Sequence, residues 1–416
     1  MKILIVTQYF WPENFRINDM AAQLQERGHE VTVLTGLPNY PSGKLFPGYG
    51  YFSRHRETFQ NVSVIRFPHF PRGNCGFVGM AACFLSFALM GSLLAPWLLR
   101  GKVFDVIFVY GLTPITVGFP AVVMRALRKI PLVFWVQDLW PESLTSAGNI
   151  HSPWILKPVE RMVKFLYRHF DRILVTSRGF IPSVLARGAV VKQVEYYPQS
   201  AEKIFRPVEV PENAEVRRLL PKGFLVLFGG NIGVSQDFPT ILAAAEALRE
   251  RTDIHWVIIG SGRMEGWVKS QVAHCHLERT VHLLGRFPVE SMPQFYACAD
   301  VVLVTLKRDP IYAVTLPAKL QAYMACGRPI LAALEGEGAH VVVESGCGVV
   351  VPSGDAKSLA KAVEELASAE KETLQRMGER GRAYCATHFE FDHLLGRLEE
   401  ILCAESRKAL AKEATR

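Results

Sequence analysis

The sequence lacks the features of several protein classes. Its 416 residues contain no low-complexity tract and no short repeat, which argues against a disordered or fibrous protein. The eight cysteines are scattered without a Cys-x-x-Cys pair, which favours a reducing cytosol over a disulfide framework. The segment His274-Cys275-His276 resembles a metal-binding cluster, but neighbouring residues do not share one helix face, so we expect no metal there. The apolar run Met1–Thr7 is too short for a signal peptide and predicts a buried first strand.

The composition is that of a globular protein with a mild excess of positive charge. Hydrophobic residues make up 49% and charged residues 21% of the chain. Lys and Arg number 47 against 39 Asp and Glu, which suits an anionic partner such as a phosphate, an anionic lipid or nucleic acid. A mildly basic soluble protein has the same balance. Because single cores stop growing at roughly 250–300 residues, we expect two domains.

Short β-branched runs alternate with helical stretches in both halves, which predicts buried parallel strands with helices on both faces. A linker is predicted over Gln199–Lys222, and a helix over Ile17–Arg27. Two doubly wound α/β units place a ligand cleft between them, faced by the carboxyl ends of the strands. The predicted strands are Lys2–Thr7, Val31–Thr35, Val62–Phe67, Phe104–Tyr110, Leu132–Val136 and Arg172–Thr176, then Phe224–Phe228, Trp256–Ile259, Val281–Leu284, Val301–Val304, Ile330–Ala332 and Gly348–Val351.

The stretch Asn74–Leu99 carries no charge and is long enough to cross a bilayer. The strands before and after it belong to one predicted sheet, which argues against crossing. A buried helix pair and a helix that dips into one leaflet both fit. The next helix, Trp154–Phe170, favours the dip, because its cations recur at spacings of four, three and four and line one face. A solvated face has the same pattern, but beside an uncharged segment a basic stripe indicates contact with lipid headgroups. These cations are Lys157, Arg161, Lys164 and Arg168.

A glycine-rich turn follows the first strand of the second half. The strand Phe224–Phe228 runs into Gly229-Gly230-Asn231-Ile232-Gly233, and a helix is predicted from about Asp237. Such a turn lets backbone N–H groups approach a phosphate, and the helix N-terminus favours its negative charge. The motifs that follow in order are Gly260-Ser261-Gly262, Pro293–Asp300, Leu316-Pro317-Ala318-Lys319, Tyr323–Ile330 and Gly348–Asp355.

This ordered series resembles the donor domain of the large retaining glycosyltransferase family with the GT-B fold, and the resemblance covers nearly the whole chain. Two stretches of the first half, Gln8–Asp19 and Trp135–Glu142, resemble the subgroup that makes bacterial O-antigen and capsule, including N-acetyl-L-fucosamine transferases. The resemblance implies two Rossmann-like α/β domains that face a cleft. Residues 1–200 would form a membrane-associated acceptor domain, 201–388 the nucleotide-sugar domain, and 389–416 a helix returning toward the first domain.

The resemblance also implies a reaction and its partners. A sugar, an N-acetylated deoxyhexosamine, would move with retention from a UDP-linked nucleotide sugar to a polyprenyl-diphosphate-linked saccharide. The enzyme would be peripheral or monotopic on an anionic membrane surface, the cytoplasmic face of the inner membrane. The nucleotide sugar is a co-substrate, and we expect no cofactor and no nucleic-acid partner. Because no Asp-x-Asp occurs, we expect no metal, and a helix N-terminus and cations would meet the charge of the departing diphosphate.

The donor residues follow from the same resemblance. Gly230, Asn231, Ile232 and Gly233 would contact the donor diphosphate through the backbone. Lys319 would act in catalysis by neutralising the leaving nucleotide; the alternative is an ordinary lysine at a helix start, where the dipole is unfavourable.

Two further donor residues are less clearly defined. Arg286 would lie near the nucleotide base or ribose, although a surface arginine fits equally well. The broad family carries two glutamates eight positions apart, and here those positions are Val314 and Ala322. Gln321 is therefore the candidate for hydrogen bonding to the ribose.

Polar residues also follow two predicted strands of the first half. Glu13, Asn14, Arg16 and Asn18 come after the first strand and could bind acceptor or phosphate, although helix capping by Asn18 or by its neighbour could explain one of them. Asp138 follows another strand end and would lie near the reacting centre as a catalytic residue, unless it only caps a helix.

Three other functions compete with glycosyl transfer. A nicotinamide-dependent oxidoreductase requires Gly-x-Gly-x-x-Gly directly after a strand, and Gln8–Pro12 contains no glycine. A sugar-nucleotide epimerase also binds a nucleotide sugar, but the membrane signals argue against it. A non-catalytic membrane scaffold would leave the ordered donor motifs unexplained.

Overall fold

The computed structural model describes residues 1–53, 55–73, 76–146 and 150–414. The chain divides into two compact units, Met1–Tyr197 with Leu395–Arg416, and Pro198–Leu394. The sequence places these divisions after residues 200 and 388. The second division falls later because one continuous helix, Phe391–Ala414, belongs to the second unit at its start and to the first unit afterwards.

The first unit is built on an eight-stranded sheet. Its strands are β1 (Lys2–Val6), β2 (Glu30–Gly36), β3 (Arg56–Phe59), β4 (Val62–Phe67), β5 (Val106–Gly111), β6 (Leu132–Val136), β7 (Arg172–Val175) and β8 (Val194–Tyr196). Its helices are α1 (Arg16–Glu26), α2 (Gly76–Leu98), α3 (Gly118–Arg128), α4 (Glu142–Ser146), α5 (Pro153–His169) and α6 (Ile181–Ala186), with 3-10 turns over Ile115–Val117, Arg178–Phe180 and Val191–Gln193. The strand order is β3-β4-β2-β1-β5-β6-β7-β8, and only β3 pairs antiparallel.

The second unit is built on a six-stranded, fully parallel sheet in the order β11-β10-β9-β12-β13-β14. These strands are β9 (Phe224–Gly229), β10 (Ile254–Ile259), β11 (Val281–Gly285), β12 (Val301–Thr305), β13 (Ile330–Ala333) and β14 (Gly348–Val351). The helices are α7 (Glu215–Arg218), α8 (Phe238–Ala247), α9 (Glu265–His274), α10 (Met292–Cys298), α11 (Pro310–Ala313), α12 (Ala318–Ala325), α13 (Glu337–Ser345), α14 (Ala356–Ala367) and α15 (Lys371–His388), with 3-10 turns over Val234–Gln236 and Val289–Ser291. The last helix, α16 (Phe391–Ala414), starts in this unit and continues in the first.

Both sheets have helices on their two faces, so the central strands are apolar on both sides. Every residue of β5 and β6 is buried. In the second unit, Leu227 and Phe228 are neighbours in β9 but belong to separate hydrophobic clusters, because successive strand residues point to opposite faces. The predicted class, two doubly wound Rossmann-like α/β domains, is confirmed. The loops after the parallel strands therefore gather at one edge of each sheet.

The last helix, α16, completes the first unit through ion pairs with that unit's sheet and loops. The carboxylate of Glu399 accepts from Arg27 at 2.7 Å and lies 2.8 Å from the ring nitrogen of His29. Arg397 donates to Glu195 at 2.8 Å. The carboxyl-terminal segment is therefore a structural part of the first unit.

The uncharged stretch forms one helix, α2, so the predicted alternative of a helix pair is wrong; Asn74 and Cys75 lie outside the described residues. A Cβ atom at Gly91 would lie 2.6 Å from Pro120 and 2.7 Å from Phe67, which shows how closely α2 packs on α3 and β4. Val78–Leu98 is long and apolar enough to cross a membrane by length and composition, and 33% of its most apolar window is buried. Among the described side chains of α2, five large apolar ones are exposed: Val78, Leu85, Leu89, Leu93 and Trp97.

Candidate functional site

Two glycines at the carboxyl edge of the second sheet form a cradle that excludes side chains. Gly230 follows β9 with φ +139°, and a Cβ atom there would lie 2.7 Å from Cε of Lys319. Gly260 follows β10 with φ +149°, and a Cβ atom there would lie 1.8 Å from the carbonyl oxygen of Gly230. Only glycine fits either position, so a ligand at this edge meets bare backbone.

Hydrogen bonds between the two loops fix the cradle. The N–H of Gly230 donates to the carbonyl of Ile259 at 2.8 Å, and the N–H of Ile232 donates to that of Ser261 at 2.9 Å. The carbonyl of Ile232 accepts from the N–H of Met264 at 3.0 Å, and the side chain of Ile232 lies in the hydrophobic core. Both backbone groups of Ile232 are thus already bonded, so Ile232 anchors the loop and has no free N–H for a phosphate.

Asn231 and Gly233 lie on either side of this anchor. Within the described part of the chain, neither of their backbone N–H groups makes a hydrogen bond. The side chain of Asn231 is exposed, and Gly233 is buried with an extended backbone before the 3-10 turn. These two N–H groups remain available to an anionic ligand.

Lys319, in the first turn of α12, lies beside the cradle. Its Nζ donates to Oε1 of Gln236 at 2.5 Å and lies 3.6 Å from the ring centroid of Phe228. Among the described residues, no carboxylate lies within 4 Å of this ammonium. The side chain is partly exposed, but its ammonium is desolvated, which lowers the pKa of Lys319 from 10.5 to about 7. A cation here is unfavourable without an anionic ligand, because the N-terminus of a helix repels positive charge.

Tyr323 joins α12 to the cradle from the same helix face as Lys319, four residues further on. Its hydroxyl accepts from the N–H of Gly229 at 3.0 Å and donates to the carbonyl of Gly229 at 3.2 Å. Sequence reasoning missed Tyr323, Gln236 and Phe228 as supports of the site. The four-residue spacing from Lys319 to Tyr323 is the signal that could have found one of them.

The other two predicted donor residues lie in different surroundings. Gln321 is two positions from both Lys319 and Tyr323, is 1% exposed, and its backbone carbonyl accepts from the thiol of Cys385. The structure therefore does not bring Gln321 to the cradle, because the helical period directs it into the core. Arg286 directly follows β11 at the same sheet edge and is exposed.

In the first unit, Glu13 and Asn18 organise the loop after β1. The buried carboxylate of Glu13 accepts from the N–H groups of Phe10 at 3.2 Å, Asn39 at 2.8 Å and Tyr40 at 2.7 Å. Burial raises the pKa of Glu13 to about 7. The side chain of Asn18 donates to the carbonyl of Glu13 at 2.7 Å. Both side chains are buried and bonded, so they act as supports for the loop.

The remaining predicted residues of this loop face outward. Asn14 is exposed and Arg16 is partly exposed at the start of α1. The residue at the N-cap of α1 is Phe15, so helix capping explains none of the polar residues of the loop.

Asp138 follows β6 at the carboxyl edge of the first sheet and accepts a hydrogen bond from the hydroxyl of Thr113, beyond the end of β5. Burial raises the pKa of the Asp138 carboxyl, while the bonds from Thr113 oppose that rise. The next helix begins only at Glu142, which makes helix capping a poor account of Asp138. A carboxyl with a raised pKa beside a sheet edge can accept or hold a proton.

Comparisons with known proteins match both halves of the chain. Residues 14–200 match the family described as glycosyl transferase 4-like domain, and residues 210–384 match glycosyl transferases group 1. The chain is 27% identical over 312 residues to the probable glycosyltransferase WbjE of Pseudomonas aeruginosa, covering 71% of this chain and 74% of that protein. It is 24% identical over 353 residues to the putative colanic acid biosynthesis glycosyl transferase WcaI of Escherichia coli K12, covering 79% and 82%.

A solved structure shows the same fold. The structure of HepE from Anabaena in complex with UDP matches with a TM-score of 0.69 at 16% identity, covering 97% of this chain and 100% of that one. The two families describe glycosyltransferases, and neither describes an epimerase. The order of the two matched regions along the chain agrees with the order of the two units. This chain is a glycosyltransferase with the two Rossmann-like domains of the GT-B fold, and its second half matches the group 1 glycosyltransferases.

Proposed function

We propose that this enzyme transfers a sugar from a UDP-linked nucleotide sugar to a polyprenyl-diphosphate-linked saccharide in bacterial surface polysaccharide (O-antigen or capsule) synthesis. The observation that carries the donor half is the desolvated ammonium of Lys319, which has no carboxylate partner among the described residues and lies beside the bare backbone of Gly230. The ammonium offers a cation to a diphosphate, and the next residues of the loop, Asn231 and Gly233, offer backbone N–H groups that make no hydrogen bond within the described part of the chain. The similar structure of HepE was solved in complex with UDP, which supports a UDP-linked donor. The relative WcaI is described as a putative colanic acid biosynthesis glycosyl transferase, which supports a role in polysaccharide synthesis.

Catalysis in this proposal rests on charge stabilisation in the second unit. As the bond from the sugar to the diphosphate breaks, negative charge grows on the departing oxygen, and Lys319 with the N–H groups of Asn231 and Gly233 meets it. Such groups, fixed before the reaction, lower the barrier by on the order of 3 kcal/mol each. Arg286 would contact the base or ribose, and no metal is required.

The first unit would bind the acceptor. Asn14 and Arg16 are polar residues of the loop after β1 that are exposed or partly exposed. Asp138 would accept a hydrogen bond from the acceptor hydroxyl and orient it. Transfer with retention, and an N-acetylated deoxyhexosamine as the sugar, follow from the motif resemblance and belong to the same proposal. An anomeric NMR assignment of the product tests the stereochemistry, and an inverted product would contradict it.

We propose that α2 and α5 hold the enzyme on the cytoplasmic face of the inner membrane. The helices α2, α3 and α5 lie side by side. The outer face of α2 is an apolar stripe, defined by Val78, Leu85, Leu89, Leu93 and Trp97, whose members are between 60% and 74% exposed. Such a stripe on a surface helix fits insertion into one leaflet.

The basic face of α5 would add an electrostatic part. Lys157, Arg161 and Arg168 are exposed, and Trp154 at the helix start is 90% exposed. Lys164 bonds Glu160 at 2.9 Å, so the predicted row of four cations is reduced to three without an ion pair among the described residues. At roughly 1 kcal/mol per cation on an anionic surface, these three give a salt-sensitive contribution beside the salt-resistant stripe.

The donor half is tested by UDP release from a panel of UDP-sugars in the presence of an undecaprenyl-diphosphate-linked acceptor. Lys319→Ala should lose turnover by about 100-fold, in line with the loss of about 3 kcal/mol of charge stabilisation. Lys269→Ala removes an exposed lysine of the same unit and should behave as the wild type. Equal rates in the two variants would refute the donor site.

A further inference from the structure

Arg72 is a cation without an anionic partner at the carboxyl edge of the first sheet. It lies between β4 and α2, and among the described residues no carboxylate comes within 4 Å of its guanidinium. Its Nη2 contacts the sulfur of Met80 at 3.1 Å, a weak acceptor. Arg66, at the end of β4, is by contrast fully buried and paired with Glu57 at 2.5 Å. The fold therefore neutralises the charge of Arg66, whereas the guanidinium of Arg72 can still bind an anionic ligand.

An aromatic face lies directly beside this guanidinium. The ring of Tyr40 is 5.8 Å from Cζ of Arg72, and its side chain is 37% exposed. The ring packs against Phe15 at 5.3 Å and Tyr9 at 5.6 Å between centroids, which holds it in place. A fixed, half-exposed ring beside a cation is suited to an anion that carries a sugar ring.

Buried polar groups fix both residues from beneath. The carboxylate of Glu13 accepts from the backbone N–H of Tyr40, and the side-chain oxygen of Asn39 accepts from the backbone N–H of Arg72 at 3.0 Å. Asn39 is itself held by Glu13 through its N–H. The buried Glu13 thus positions two surface residues, Tyr40 and Arg72, which come from loops far apart in sequence.

The same place is where the apolar stripe of α2 begins. Met80, which Arg72 contacts, lies in the first turns of α2, and Val78 beside it is 74% exposed. A cation at the end of an apolar surface matches an amphipathic ligand with an anionic head and an apolar tail.

We propose that Arg72 and Tyr40 bind the diphosphate of the lipid-linked acceptor and the sugar ring attached to it. The guanidinium of Arg72 takes two phosphate oxygens in bidentate contact, and the ring of Tyr40 packs against the apolar face of the sugar. Both residues hold the acceptor in place and take no part in making or breaking bonds. The inference rests on the proposed function, because it names where the acceptor of that reaction is held.

Steady-state kinetics on three acceptors tests this assignment: the lipid-linked saccharide, the same saccharide on a short soluble diphosphate, and the saccharide without phosphate. Arg72→Ala should raise KM at least tenfold for both diphosphate acceptors, while the kcat and the donor KM stay within twofold. The phosphate-free saccharide should show no change. Arg72→Lys should recover part of the affinity, and Tyr40→Ala should raise KM for all three.

Arg100→Ala is the matched control, because Arg100 is exposed and lies just beyond the opposite end of α2. It should behave as the wild type on the short soluble diphosphate. A loss in Arg72→Ala that is confined to the lipid acceptor and accompanied by weaker vesicle binding would show that Arg72 contacts membrane headgroups, and would overturn the assignment.

Titration calorimetry with the short saccharyl diphosphate separates this inference from the proposed function. Tenfold weaker binding in Arg72→Ala than in Arg100→Ala supports the subsite even if no sugar is transferred, in which case the proposed function fails alone. Equal binding in an enzyme that does transfer sugar overturns the subsite and leaves the function standing.

Discussion

The pKa of Lys319 leads to a quantitative prediction about donor binding. In the free site burial lowers this pKa to about 7, whereas a bound diphosphate should return it toward its ordinary value of 10.5. Above pH 7 the free ammonium loses its proton and must regain it when the diphosphate binds. UDP affinity should therefore fall as pH rises, by about 50-fold between pH 7 and pH 9, since one pKa unit corresponds to about 1.4 kcal/mol.

The assay is titration calorimetry with UDP at pH 7, 8 and 9, in two buffers of different ionisation enthalpy. At pH 8 the wild type should take up about 0.9 proton per UDP, because a group of pKa 7 is then about one-tenth protonated. Lys319→Ala should bind weakly with no pH trend of its own. Lys319→Arg should stay charged and show no proton uptake.

UDP itself ionises in the same way with both proteins. Subtracting the proton uptake of Lys319→Ala from that of the wild type therefore leaves the contribution of Lys319. If the two proteins show parallel pH profiles and equal proton uptake, Lys319 does not meet the diphosphate. The lysine would then be only a residue at the start of α12.

Four further outcomes are expected. Lys319→Met should raise Tm at pH 7, because the folded variant no longer holds a desolvated cation. This gain in Tm should shrink toward pH 9, since the folded wild type binds fewer protons than the unfolded chain above pH 7 and therefore becomes more stable as pH rises. Gly230→Ala should abolish UDP binding in calorimetry while the far-ultraviolet circular dichroism is kept, because its Cβ would displace Lys319. Leu89→Glu with Leu93→Glu should reduce vesicle sedimentation at least tenfold at both low and high salt, as each leucine would lose roughly 1–2 kcal/mol of burial in lipid. Activity should persist in EDTA, and rates that vanish there and return with manganese would contradict the metal-free site.

The donor edge was largely predictable because its signals are local. A strand, a glycine run and a helix-start lysine are each contiguous in sequence, so the sequence alone points to Gly230 and Lys319, and the structure adds the contact between them. Gln321 is predicted at the ribose from its place beside a missing glutamate, whereas the helical period directs its side chain into the core. Ile232 was assigned a phosphate contact because sequence does not show that Ser261 and Met264 already occupy its backbone groups.

The first unit was harder to predict because its key contacts join distant loops. Arg72 and Tyr40 are 32 residues apart, and only the folded sheet edge brings them together. Strand β3 was missed because its sequence, Arg-Glu-Thr-Phe, lacks the apolar run of a buried strand and suits an edge. The spacing of four between Glu160 and Lys164 predicts their ion pair. The row of four like charges on α5 predicts a lipid contact for Lys164 instead, and the two patterns compete for the same side chain.

The central claim is that this enzyme moves one sugar from a UDP donor to a polyprenyl-diphosphate-linked saccharide. Mass spectrometry of the acceptor after incubation with the wild type and each UDP-sugar tests it most directly. We predict that one donor increases the acceptor mass by a single sugar residue with release of one UDP, and that Lys319→Ala forms this product at a small fraction of the wild-type rate. An unchanged acceptor mass with every donor, or a donor converted to its epimer without release of UDP, would contradict the claim.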